Sequence, residues 1–181
     1  MSATVAPDEE RFAANANILG KAILQAITEL YNKGYQTVPP LLVQIAVGVI
    51  ASYDKHQLIQ GFIENSHAKC WDSIRERDEE FFVENVGTVF RYLPTQQVDL
   101  FKDLYMTRDK DGKPVITDML KTQIWNLFDS MIKISIKYIH NQRGPYADAN
   151  GQHYKCDFYE DIDIRTHAEK WRLTLNFPME I

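Results

Sequence analysis

Apolar residues return every three or four positions along most of this chain, the spacing of helices that bury one face. Pro7-Asp8-Glu9-Glu10 reads as a helix opening, with acids where the positive end of the helix dipole favours them. Leu19, Ile23, Ala26, Ile27 and Leu30 follow as one stripe, closed by Asn32-Lys33-Gly34 as a C-cap. Pro39-Pro40 starts a second helix that runs to about Tyr53 and is apolar on nearly every side. Such all-round apolarity predicts that neighbours cover most of it. Leu58, Ile59, Phe62 and Ile63 mark a third helix after Asp54. Trp71, Ile74, Phe81, Phe82, Val86, Val89 and Phe90 carry the pattern onward. The charged run Arg75-Glu76-Arg77-Asp78-Glu79-Glu80 crosses its middle, leaving either one long helix or two with Asp78 capping the second.

Pro94-Thr95 opens a helix carrying Val98, Phe101, Leu104 and Tyr105, and Asp109-Lys110-Asp111-Gly112-Lys113-Pro114 is the clearest turn in the chain. The longest helix follows, about Asp118 to Asn141. Leu120, Ile124, Leu127, Met131, Ile134 and Tyr138 are its spine, widened by Phe128, Ile132 and Ile139. Asn126, Asp129, Lys133, Lys137 and His140 leave it only a narrow polar strip, which predicts a central position. Gly144-Pro145 ends it. No strand-like alternation of useful length precedes residue 144. Beyond it, Tyr146 to Tyr154 is polar and turn-rich, and Phe158, Tyr159, Ile162, Ile164, Trp171, Leu173, Leu175 and Phe177 restore apolar weight. Residues 162–164 and 173–177 alternate like strand, while Thr166 to Arg172 fits a short helix. The expectation is an all-α, single-domain bundle of about six helices over residues 1–144. A C-terminal tail, 145–181, docks on it, because so much aromatic surface would not stay in water.

Composition narrows the classes. With 181 residues, 45% hydrophobic and 12% aromatic, the chain has core material for one folded domain and too much for disorder. Twenty Lys and Arg against 25 Asp and Glu leave a net charge of -5, which argues against a protein held by nucleic-acid phosphates. The longest apolar run, Leu41 to Ala51, is broken by Gln44 and Gly48 and falls short of the roughly 20 residues that span a bilayer, so no membrane is expected. Two cysteines fit a reducing, cytoplasmic compartment. The N-terminus shows neither a secretory pattern nor a myristoylation glycine, and no prenylation box ends the chain.

The candidate chemistry is sparse. His67-Ala68-Lys69-Cys70 and His153-Tyr154-Lys155-Cys156 repeat an H-x-x-C spacing. Residues three apart can aim an imidazole nitrogen and a thiolate at one ion, so His67, Cys70, His153 and Cys156 could form a tetrahedral zinc site. The alternative is a core cysteine, a loop cysteine and surface histidines. The Asp109–Asp111–Gly112 turn lies between two helices as an EF-hand loop would. With Gly112 at the sixth loop position, however, Thr107 takes the first and Asp118 the twelfth, and a frame starting at Asp109 closes on Leu120. A plain turn fits better. Glu64-Asn65-Ser66-His67 has no second E-x-x-H to make a di-iron centre. The charged run at 75–80 reads as a solvated, self-pairing face rather than catalytic carboxylates. No G-x-S-x-G, P-loop or dinucleotide fingerprint occurs, so no catalytic constellation is recognised. Lys133, Lys137, His140 and Arg143 form a small basic end, too small for nucleic acid.

Two stretches carry a resemblance. Cys70-Trp71-Asp72-Ser73-Ile74 with Arg77-Asp78-Glu79-Glu80-Phe81-Phe82-Val83-Glu84-Asn85, and later Ile136-Lys137-Tyr138-Ile139-His140-Asn141-Gln142-Arg143-Gly144-Pro145, resemble uncharacterised small helical proteins of large nucleocytoplasmic DNA viruses. The likeness spans about residues 55–145 and implies a virion or infected-cell cytoplasmic setting, with no catalytic residues to carry over. Bcl-2-like regulators are a poorer comparison: their Asn-Trp-Gly-Arg signature is missing, and no Trp here precedes a Gly. The reading is a non-enzymatic interaction or structural protein, a virion-associated component, with a protein partner or self-association. The alternative is a regulatory domain that binds zinc through the two H-x-x-C pairs.

Overall fold

The computed structural model describes residues 7–67, 69–89, 95–143 and 161–177. Local signals set the helix ends. α1 (Pro7–Asn32) opens on its three acids and closes where Gly34 takes a φ of 83° and Tyr35 N–H reaches back to the Leu30 carbonyl at 3.1 Å. α2 (Pro40–Ser52) starts with its proline in the first turn. α3 (Lys55–Ser66) is capped by Asp54, which accepts from Gln57 N–H at 3.1 Å. The charged run resolves into two helices. α4 (Trp71–Glu76) stops at Arg77, in the left-handed region at φ 55°, and Asp78 then caps α5 (Glu79–Val89) by accepting from Phe81 N–H at 3.0 Å. The eight helices among the described residues thus exceed the expected six because this stretch breaks and the tail adds a helix of its own.

After α6 (Thr95–Met106), Asp109 accepts from the N–H groups of both Asp111 and Lys113 at 2.9 Å. The turn's acid is spent on its own backbone, as a plain turn requires. α7 (Asp118–Arg143) and α8 (Ile164–Lys170) complete the order. Asp163 caps α8, accepting from Thr166 N–H at 3.0 Å and from its hydroxyl at 2.7 Å. Residues 173–177 have no regular secondary structure, and none of the described residues forms a strand with them.

α7 is the axis. α1 runs antiparallel along it, tied by Asn15 donating to Ser130 Oγ at 2.8 Å and Asn141 donating to Asp8 at 2.7 Å. α4 and α8 also lie against it, and α2 and α3 pack on α1. Phe82 gathers Trp125, Phe128 and Tyr105 within 6.2 Å, beside an ion pair between Lys121 and Glu79 at 3.2 Å. The Tyr105 hydroxyl donates to the same Glu79 at 3.3 Å, and burial, then that carboxylate's charge, pushes its pKa well up. Over the described part of the tail, Ile162, Ile164, Ala168 and Trp171 enter the core.

One expectation fails. α2 is not covered: none of its residues is buried, and Leu41, Leu42, Ile45 and Val49 face outward. It rests on α1 with Val43, Ala46, Val47 and Ile50 only half-buried on its inner side. Val47 comes so close to Gly20 that a Cβ there would lie 2.9 Å from its methyl, so Gly20 is the notch that seats the helix.

If α7 is the axis, Ile132→Ala should cost about 2–5 kcal/mol, the usual range for a fully buried large-to-small change. The half-buried Leu127→Ala should cost only about 1 kcal/mol, in proportion to the area it hides. Urea midpoints that fall equally for both would contradict this placement.

Candidate functional site

The outer face of α2 is built by helical spacing. Positions 43, 46, 47 and 50 turn toward the molecule, so 41, 45, 48, 49 and 52 turn away from it. Leu41 is 66% exposed, Ile45 54% and Val49 47%, with Leu42 and Tyr53 beside them. Together they present on the order of 400 Å² of apolar surface, the size at which a monomer's largest patch is often functional. Ionisable groups are missing from residues 39–52 altogether. Gly48 lies in this face, and nothing stands within 4 Å of where its Cβ would be. The face therefore has relief: a ridge at Ile45 and a hollow one turn later. Chemically it can only exclude water against another apolar surface.

The residues singled out for zinc divide. His67 caps the C-terminus of α3, with Nδ1 3.2 Å from the Ile63 carbonyl and its ring edge-on to Trp71. Cys70 sits just before α4, buried, and burial pushes its thiol above the ordinary value. His153 and Cys156 lie outside the described residues. Among the described ones no three His, Cys, Asp or Glu side chains come together as metal ligands.

What gathers round Trp71 instead is a second histidine that the spacing did not single out. His167 of α8 meets the fully buried Trp71 ring at 5.0 Å, edge to face, and Lys170 one turn later pairs with Asp72 at 2.9 Å. Trp71 itself donates to Ser66 Oγ at 3.0 Å, and Ser66 donates on to the Phe62 carbonyl. His167 Nδ1 is buried without a hydrogen-bond partner among the described residues. Burial, ahead of the opposing charge of Asp72, holds its pKa below the ordinary 6.5. No sequence pattern joins residues 71 and 167; the contact exists because α8 and α4 share α7 as a support.

A third cluster also escaped the sequence pattern. His56 Nδ1 lies 2.6 Å from the Tyr138 hydroxyl and 3.0 Å from the Glu9 carboxylate. Glu9 is nearly buried in the first turn of α1, where the helix dipole favours its charge. With both partners on one ring nitrogen, the cluster clamps α1, α3 and α7 together.

The sign for His167 is definite. The unfolded chain takes up its proton near 6.5 and the folded one only below that value, so the stability this group lends is complete above pH 6.5 and is lost as pH falls through the folded pKa. Asp72 and Asp163 act in a separate window, since the Lys170 bond and the Thr166 bonds respectively hold them below 3.8. Thermal midpoints should therefore drop between pH 7 and 5, and His167→Gln should flatten that slope while leaving the loss below pH 4. An unchanged slope in the variant would remove His167 as its source. No family model matches this chain, and no curated protein or solved structure does.

Proposed function

We propose that this chain is a non-enzymatic interaction protein that associates with a second copy of itself through the outer face of α2. The observation that carries the reading is the exposed, charge-free apolar face of a helix that elsewhere in the fold would be core. A surface that must match its own image under two-fold rotation cannot carry a patch of one charge, and this one carries none. Its relief is self-complementary as well. Two antiparallel α2 helices crossing between residues 45 and 48 set Ile45 of each copy into the hollow at the partner's Gly48, with opposed dipoles. Two such faces would hide about 800 Å² of apolar surface, near the low end of specific interfaces once a polar rim is added. That size fits a micromolar, reversible dimer. The resemblance of residues 70–85 and 136–145 to small helical proteins of large DNA viruses supports reading the assembled form as virion-associated.

Sedimentation velocity over a concentration series is the direct test. The protein should shift from monomer to dimer through the micromolar range, and Ile45→Glu should weaken the dimer at least about tenfold by burying an unpaired charge. Because Ile45 is exposed, the variant should keep its thermal midpoint. A monomer at several hundred micromolar, or equal association by the variant, would defeat the reading.

A further inference from the structure

Away from α2, α1 and α7 leave a cleft of about 350 Å³ between them. Arg11 of α1 and Lys133 and Lys137 of α7 line it, with Leu173 from the segment after α8. We propose that this cleft binds the phosphate group of a small phosphate monoester. The inference is independent of self-association, since it rests on other residues.

The argument begins with charge. The chain carries five more acids than bases, and many of its cations are answered: Lys55 by Glu10, Lys121 by Glu79, Lys170 by Asp72. In the cleft the balance inverts. Lys133 pairs with Asp129 on its own helix at 2.7 Å, whereas Arg11 and Lys137 meet no carboxylate among the described residues. Two positive charges with no carboxylate partner among the described residues repel one another, and the repulsion is relieved by an anion placed between them.

The kind of anion follows from the remaining groups. A phosphate monoester carries about −1.5 to −2 at neutral pH, matching the two open cations where a single carboxylate would not. Arg11 supplies the planar fork suited to phosphate oxygens, and Lys137 a point charge. Asn15 donates to Ser130 Oγ at 2.8 Å, which leaves the Ser130 hydroxyl proton to give to a phosphate oxygen. Ala14, Ile134 and Leu173 add apolar wall for a short organic body. The volume lies near the lower end of the roughly 300–1,000 Å³ of small-molecule sites, too small for a polymer. Neither the spacing of Lys133 and Lys137 nor any motif announces the cleft, because Arg11 joins them only through the antiparallel packing of α1 on α7.

Phenyl phosphate is the probe, with benzoate as the single-charge control. At ten times its dissociation constant phenyl phosphate should raise the thermal midpoint by about 3–6 °C, the shift expected for a chain of this size. The double variant Arg11→Gln/Lys137→Gln should bind at least about tenfold more weakly by calorimetry. Its midpoint without ligand should not fall, because neither side chain has an ion-pair partner among the described residues. Leu173→Ala should bring the affinity for phenyl phosphate down toward that for inorganic phosphate. Vesicles containing phosphatidate tell the source. Cosedimentation that the double variant abolishes assigns the ester to a lipid headgroup, and its absence beside intact phenyl phosphate binding assigns it to a free metabolite. The proposal is overturned if phenyl phosphate shows no saturable binding up to about 10 mM, if the double variant binds it equally, or if benzoate binds as tightly.

Discussion

Everything in this fold answers to the enclosure of α7. Met131, Ile132, Ile134, Ser135, Ile136, Tyr138 and Ile139 are all buried. A helix turns 100° per residue, so a run this dense needs neighbours on nearly every side. α1 supplies the longest wall and α4 and α8 supply others, with the Asp163 cap fixing where α8 begins. Even Ser135, wholly hidden, is satisfied by donating to the Met131 carbonyl one turn back. The polar strip stays narrow along the middle of α7 as a result, and its fully exposed positions gather toward its two ends, from Asp118 to Asn126 and at Asn141 and Gln142.

The legible part of this architecture was the part written in local chemistry. Acids at residues 8–10, Gly34, Asp54, Asp78 and the Asp109–Gly112 turn each do within a few residues what their types allow, so helix positions could be read from spacing and caps. Even the break at Arg77 was readable as an alternative. The tail was legible through apolar weight alone: Trp171 and Ile162 had to be covered, whatever backbone carried them. Its alternating residues 173–177, by contrast, mimic a strand because this segment without regular structure also half-buries every second residue.

The sites were harder to read for a physical reason. Periodicity shows which residues a helix would bury, but not whether anything arrives to bury them. α2 has more apolar surface than one neighbour can cover, and its pattern is the same whether the second neighbour comes from the same chain or another. The clusters at Glu9–His56–Tyr138 and Trp71–His167, like the cations Arg11 and Lys137, are products of packing between residues far apart in sequence, from 47 positions for Glu9 and His56 to 82 for His56 and Tyr138 and more for the others. Types that are ordinary on separate helices acquire chemistry only when those helices meet.

The notch at Gly20 bears on how the molecule breathes. α2 leans on α1 through half-buried side chains and hides none completely, while the middle of α7 is locked on almost all sides. Opening free energy follows buried contact, so α2 is among the cheapest helices to lift from the body, and its departure leaves the core shut. The most oil-like stretch of the chain is thus hung on its weakest hinge. A contact made there would brace the helix that carries it, and association would be felt first as local stiffening rather than as a change of shape.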